Sequence, residues 1–287
     1  MALSKIQSGM GGGQPPTQQI FSTAGTHTYT KPANCTKVKV TVVGAGGGGG
    51  GVRSRGSAKY VLTSGGGGGA GGTSIKLIDG ANVGATETVT IGTGGAGGVG
   101  MNDGTAGGTS SFGSHCSATG GGGGAHVGTS HTNNSPVNYQ KTGYHGGGGV
   151  GTGGDLNLRG GSAEKVYTSQ RDTYDTGSSI FSQQMNQHGG IAYARRGNVG
   201  QGLGSSHVFH NCGGTSTLQG GQIVPYGDTG GGHAYNYLSA AGGNGQGYGN
   251  GGDGGLSILT YTGGFVTHSN NGGTGSAGVV VVEEFYG

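Results

Sequence analysis

The side chains that could do chemistry in this chain are few, and they form no recognisable catalytic set. The stretch HVFHNC places His207, His210 and Cys212 close together. Imidazole and thiolate groups are common zinc ligands, but this spacing matches no standard zinc finger. The alternative is a polar loop that faces a receptor or another subunit, so these three residues are only candidate metal ligands.

Carboxylates and glycine motifs give no stronger signal for catalysis. Asp172 lies near Asp175, and Glu283 precedes Glu284, but the 11 acidic residues are scattered and do not predict a glycosidase pair. VVGAGGGGGG satisfies the GxGxxG pattern, as any glycine run does, yet no helix and acidic partner follow it. No GKS or GKT is present, which excludes a P-loop. We therefore expect no catalytic residue, no cofactor and no enzymatic activity.

Tyrosines in the glycine-poor stretches carry the clearest functional signal. Tyr offers a large amphipathic contact area at low entropy cost and, with Ser, Gly and Asn, is typical of adaptable binding loops. The alternative is that these rings pack over the scaffold or between subunits. We predict receptor-binding loops that contain Tyr139, Tyr144, Tyr167, Tyr174, Tyr193, Tyr226, Tyr235 and Tyr237.

The elements that must position these loops are dominated by glycine. The chain has 287 residues, of which 79 are Gly and 5 are Pro, about four times the ordinary glycine content. Because only 30% of residues are hydrophobic, a conventional apolar core cannot hold the whole chain. Disorder is one alternative for such a composition, but the strand-like stretches and the low charge favour an ordered fold. The irregular glycine runs and scarce Pro exclude collagen.

Charge, hydropathy and cysteines exclude several classes of protein. The formal net charge of +3 is too small to predict nucleic-acid binding. No apolar run reaches the roughly 18 residues of a membrane span, and the first residues lack the apolar core of a secretory signal. Cys35, Cys116 and Cys212 are far apart and predict reduced thiols in a protein made in the cytoplasm.

The chain begins with a polar stretch and then alternates strand signals with glycine runs. We predict a flexible N-terminal arm over 1–19, the start of a β-module over 20–43, and a glycine-rich domain over 44–287 with a closing strand at 278–286. Within the module, Val38, Val40 and Val42 alternate with polar residues, the pattern of a half-buried strand. Further strand signals lie in TSIKLIDG and ETVTIGTGG, and no segment has helical periodicity.

Glycine runs can be ordered without side chains as polyglycine II helices, which have three residues per turn and a rise of about 3.1 Å. Fixing each residue costs about 1–2 kcal/mol of backbone entropy, so only a laterally hydrogen-bonded array of such rods is stable. The predicted fold class is all-β plus polyglycine II helices: a small N-terminal β-module, then a packed polyglycine-helix block with long connecting loops and essentially no α-helix.

Four stretches of the sequence resemble the glycine-rich domain of bacteriophage tail-fibre proteins. They are FSTAGTHTYTKPANCTKVKVTVVGAGGGGGG, GGTSSFGSHCSATGGGGGA, GGDLNLRGGSA and GSAGVVVVEEFY, in that order between Ile20 and Tyr286. The glycine runs also resemble the distal adhesins of T-even-like phages, which pack polyglycine helices and present variable loops to outer-membrane receptors. The chain departs from those adhesins at MALSKIQSGM, which is similar to the start of small fibre proteins of marine-type phages.

The resemblance implies a non-enzymatic virion protein, made in the host cytoplasm, that forms the receptor-binding tip of a tail or other external fibre. Its implied partners are a host cell-surface receptor (an outer-membrane protein or a glycan) and other virion fibre subunits. A homotrimer is expected, with no nucleic-acid partner and no membrane insertion. A structural filament or capsid-decoration subunit remains an alternative. An ice-binding protein would need a stricter G-x-x repeat.

Overall fold

The computed structural model of the chain describes residues 14–56, 60–131, 142–143, 145–163, 166–167, 169–170, 239–260 and 266–287. Within these ranges the secondary structure is all-β apart from one 3-10 turn, Gly80–Asn82. The strands are β1 (Thr17–Phe21), β2 (Gly25–Thr30), β3 (Cys35–Val43), β4 (Val52–Gly56), β5 (Tyr60–Ser64), β6 (Thr73–Asp79), β7 (Thr86–Ile91), β8 (Ser110–Phe112), β9 (Cys116–Ala118), β10 (Val127–His131), β11 (Thr142–Gly143), β12 (Gly151–Thr152), β13 (Leu156–Leu158), β14 (Val166–Tyr167), β15 (Ser169–Gln170), β16 (Ser239–Ala240), β17 (Leu256–Thr260), β18 (Val266–Asn270) and β19 (Val279–Tyr286).

One five-stranded antiparallel sheet contains both ends of the described chain. Its strand order is β1-β19-β3-β6-β13, so the closing strand lies between the first strand and β3. Val40 is opposite Val282, and Val42 is opposite Val280. All four of these valines are fully buried, as the alternation in β3 predicts.

A second five-stranded sheet, with the order β12-β9-β8-β7-β2, packs against the first. The shared core contains apolar residues of both sheets, with Phe112 against Tyr29 at a ring-centroid distance of 5.3 Å. Asn34, at φ +62°, makes the turn that leads into β3, and Asn tolerates this left-handed region better than most residues. We call these two sheets the β-module. The module starts inside the range assigned to an N-terminal arm, because β1 begins at Thr17.

The glycine-rich part of the chain forms a block of laterally hydrogen-bonded segments around residues 44–51, the central segment. Its N–H groups donate in strict rotation: residues 44, 47 and 50 bond to 65–72, residues 45, 48 and 51 to 102–108, and residues 46 and 49 to 271–278. These three neighbours run antiparallel to the central segment. Its hydrogen bonding therefore repeats every three residues.

The carbonyl groups of the central segment follow the same rotation. They accept hydrogen bonds from three parallel neighbours, 92–98, 119–125 and 249–255. The six neighbours also bond to one another in sequence, which closes a ring around the central segment. The bonds between ring neighbours include Gly69 N to Gly122 O, Gly104 N to Gly124 O, Thr105 N to Ala96 O, Gly272 N to Gly98 O, Gly273 N to Asp253 O and Gly68 N to Gly252 O, all 2.8 or 2.9 Å long.

Burial in one ring segment, 92–98, follows the same three-residue repeat. In the segment 92–98, Gly92, Gly95 and Gly98 are buried against the centre, and Gly95 and Gly98 donate to the central carbonyls at 2.9 and 2.8 Å. Thr93 and Ala96 are exposed. Non-glycine residues thus occupy outward positions of this segment, where no neighbouring backbone excludes a side chain.

Glycine is needed at many positions inside the block because neighbouring backbones approach too closely there for a Cβ atom. A Cβ placed on Gly49 would lie 2.0 Å from the carbonyl oxygen of Asp253. Three more segments, 145–150, 159–163 and 241–245, bond to the outside of the ring. Every backbone group in this packing that would be buried needs a partner, and the adjacent segments supply those partners.

Beyond the block, the chain continues into smaller sheets, none of them closed. Their strand orders are β10-β4-β18, β15-β5-β17-β16 and β11-β14. The described residues hold no helix with the length and apolar character needed to cross a bilayer.

Candidate functional site

The direction of each glycine segment fixes which end of the block carries which connection. The central segment starts where β3 leaves the β-module and ends at β4. Because three neighbours run parallel to it and three antiparallel, successive segments return alternately to the module end and to the opposite end, here called the distal end. The connections at the distal end are 52–64, 99–101, 126–144, 164–240 and 256–270.

Both described chain ends lie at the module end. Thr17 is opposite Glu284 in the sheet register, and Val43, which precedes the central segment, is opposite Val279. The described chain ends are therefore separated by the full length of the glycine block from the points where the long connections leave and re-enter it.

All eight predicted binding tyrosines belong to distal connections. Tyr139 and Tyr144 fall within 126–144, and the other six within 164–240. Tyr167 lies in β14, where its backbone is opposite Thr142 of the other connection. The remaining seven lie outside the described residues, so their mutual positions stay a prediction. The two connections nevertheless enter and leave the same end of the block.

The candidate metal ligands His207, His210 and Cys212 also fall within the connection 164–240 and lie outside the described residues. In the part of the chain that the structure describes, no three His, Cys, Asp or Glu side chains come close enough to hold a metal ion. A metal site in this connection stays an untested hypothesis.

The adjacent carboxylates Glu283 and Glu284 do not form a pair that could act together. Alternate residues of a strand point to opposite faces. Glu283 lies on the outer face, 2.7 Å from Lys39 Nζ. Glu284 is 1% exposed and accepts hydrogen bonds from Gln19 Nε2 at 2.7 Å and from Thr17 Oγ1. Asp172 and Asp175 lie outside the described residues.

The described thiols are buried. Burial raises the pKa of the Cys116 thiol to about 11, and Cys35 is likewise a buried free cysteine. A thiol that stays protonated at neutral pH is a poor nucleophile. Burial, followed by the nearby carboxylate of Glu284, also raises the pKa of Tyr29. These groups therefore belong to the module core.

The described part of the distal end contains charged and apolar side chains that the tyrosine pattern did not predict. Asp103 Oδ1 accepts from the backbone N–H of His126 at 2.7 Å and lies 2.6 Å from its ring Nδ1. The backbone hydrogen bond and then the imidazole hold the pKa of the Asp103 carboxyl below its usual range. Nearby, Val99 and Met101 are 62% and 38% exposed. The sequence contained a signal for these two apolar side chains, because Val99 and Met101 interrupt a run of mostly small residues.

The comparisons with known proteins agree with the glycine-rich character of the chain. A model of the glycine-rich domain family matches residues 22–284. No curated protein matches the sequence. The matched range includes the glycine block, its connections and the β-module except β1 and the last two residues of β19.

Proposed function

The chain belongs to the glycine-rich domain family, and from that premise we propose that it is a bacteriophage fibre protein that recognises the host cell surface. In this proposal the glycine segments are polyglycine II helices. The hydrogen bonds that rotate through three neighbours with a three-residue repeat support that conformation, which has three residues per turn.

The observation that carries the proposal is that the described chain ends lie at one end of the glycine block and the long connections leave from the other. A binding tip needs one end to attach to the particle and the other end to contact the receptor. Loops that are anchored at both ends to a rigid block can vary in sequence without disturbing the fold. The Tyr-bearing connections 126–144 and 164–240 have this arrangement, since their flanking segments are hydrogen-bonded into the block.

The proposal gives each part of the molecule a role. The β-module faces the other fibre subunits, and the distal connections face an outer-membrane protein or a glycan. The protein acts in the virion after synthesis in the host cytoplasm, as a homotrimer and without enzymatic activity.

A second candidate function is a structural filament or capsid-decoration subunit. It is favoured by the edges of the first module sheet: among the described residues, β1 and β13 each pair with a strand on one side only. Free strand edges can pair with another chain. In this case the tyrosine connections would contact other subunits rather than a cell.

Binding to intact cells separates the two candidates. The purified, fluorescently labelled chain is incubated with a panel of Gram-negative cells, beside a variant with Tyr139→Ala and Tyr144→Ala. A receptor-binding tip decorates at least one strain, and the variant binds it more weakly while keeping its unfolding temperature. Assembly into long polymers without decoration of any strain would contradict the proposal and support the filament.

A further inference from the structure

A short turn at the distal end exposes two apolar side chains in a fixed position. Residues 99–101 join the segments 92–98 and 102–108, with Gly100 at φ +60°, a conformation that glycine adopts without strain. Asn102 donates to the carbonyl of Val99 from both its backbone N (3.2 Å) and its side-chain Nδ2 (2.8 Å). Gly100 N donates to Asn271 Oδ1 at 3.2 Å. The turn is thus held from both sides.

The three-stranded sheet β10-β4-β18 at the distal end lies beside this turn. Gly128, Arg53 and Ser269 are directly opposite one another on β10, β4 and β18, so their side-chain directions share one face of the sheet. The Met101 side chain lies against Gly128, and Ser269 Oγ is 3.1 Å from where a Cβ on Gly100 would stand. Because both outer members of the row contact the turn, Arg53 between them also faces it.

Val99, Met101 and Arg53 form a corner of the distal end, and its chemistry suits a protein partner better than a polysaccharide. Val99 and Met101 can neither hydrogen-bond sugar hydroxyl groups nor offer an aromatic face for stacking. Met and Arg are enriched where proteins meet proteins, and Met adapts its shape to different apolar partners. The Arg53 side chain is exposed, and a guanidinium group pairs well with a carboxylate.

We propose that Val99, Met101 and Arg53 form a fixed contact site for a host-surface protein that presents an apolar side chain beside a carboxylate. The inference rests on the proposed function and narrows it, because it chooses a protein over a glycan as the receptor. A site held by the block loses little conformational entropy on binding. It would supply a constant anchor beside connections whose sequence is free to vary.

The test uses the full chain and a strain that it decorates. One variant carries Val99→Ser and Met101→Ser, and a second carries Arg53→Glu. Matched controls change equally exposed residues of the β-module: Leu77→Ser with Leu156→Ser, which are 52% and 49% exposed, and Lys37→Glu. The cells are treated with protease to remove surface proteins or with periodate to oxidise glycans.

We expect that protease treatment of the cells abolishes binding and that periodate treatment leaves it unchanged. Each distal variant should bind roughly tenfold more weakly or worse, while the module controls bind like the native chain and every variant keeps its unfolding temperature. Binding that survives protease but not periodate would overturn this inference and leave the proposed function standing. So would distal variants that bind within about twofold of the native chain. If the chain binds to no strain, both this inference and the proposed function are contradicted.

Discussion

The carbonyl oxygen of Gly122 lies where a side chain at position 47 would begin. A Cβ atom on Gly47 would be 2.0 Å from that oxygen, far inside the van der Waals limit. Gly47 cannot move aside at low cost, because its N–H is bonded to Gly69 O at 2.9 Å and its carbonyl accepts from Gly252 N at 2.9 Å. At this position, the absence of a side chain is what allows the central segment to meet three neighbouring backbones.

Gly47→Ala should therefore destabilise the protein by about 3 kcal/mol, measured by urea unfolding. Gly147→Ala is the matched control: Gly147 also accepts a bond within the block, from Gly122 N. An added Cβ there would meet nothing closer than Arg159 Nη2 at 4.0 Å. The control should change stability by less than about 1 kcal/mol and could raise it. Equal losses in the two variants would contradict the close packing of the segments.

Glu284 should contribute more to stability than its neighbour Glu283. Glu284→Ala removes a buried charged acceptor that takes hydrogen bonds from Gln19 and Thr17, and the loss costs about 2–3 kcal/mol. Glu283→Ala removes a half-exposed ion pair with Lys39, which is worth less than about 1 kcal/mol. Chemical denaturation of both variants checks this. A larger loss at Glu283 would contradict the assignment of the two side chains to opposite faces.

Acid should weaken the fold partly through Glu87. Its carboxylate accepts from Gly84 N at 2.9 Å and lies 3.2 Å from His115 Nε2. The Gly84 bond first, and then the imidazole, lower the pKa of Glu87. A carboxyl whose pKa is lower in the folded chain stabilises the fold above its unfolded pKa of about 4.3, and that stability is lost as the pH falls through the folded pKa.

The corresponding variant is Glu87→Gln, followed by urea unfolding between about pH 7 and pH 3. At neutral pH it should be about 1 kcal/mol less stable than the native chain, because a charged acceptor makes the stronger hydrogen bond. The difference should shrink below about pH 4. Parallel pH profiles for the two proteins would show that Glu87 has no such role.

The distal connections should be separable from the scaffold. Residues 171–238 leave from Gln170 and return at Ser239, on the outer strands of the sheet β15-β5-β17-β16. Three strand spacings of about 4.8 Å separate them, roughly 14 Å, which an eight-residue Gly/Ser linker can span. The shortened protein should keep its unfolding temperature within a few degrees and lose cell decoration. Loss of folding would show that this connection is part of the scaffold.

The side-chain patterns in the sequence predicted several strands of the β-module but not its short strands β8, β9, β12 and β13. The alternation of Val38, Val40 and Val42 predicted β3, and the run that starts at Val279 predicted β19. In these strands one face is buried in an apolar core, so apolar and polar residues alternate along the sequence with a period of two. Strands β4 and β5 were not predicted, because residues 52–64 lack that alternation.

The neighbours of each glycine segment could not be predicted. A packed array was expected, but runs without side chains carry no information about which run bonds to which or in what direction. Partners are set instead by the strands that enter and leave each run, such as β3 before the central segment and β19 after 271–278. The corner formed by Val99, Met101 and Arg53 was missed for the same reason, because these residues come together only through the pairing of the glycine segments.

Hydrogen exchange of the central segment tests most directly whether backbone bonds hold this protein together. The amide hydrogens of residues 45–51 all donate to neighbouring segments, and exchange can be followed residue by residue by NMR. We predict that they exchange only through global unfolding, with protection on the order of 10⁴ or more, like those of β3. Exchange at the rate of an unstructured peptide, while β3 and β19 stay protected, would contradict the account.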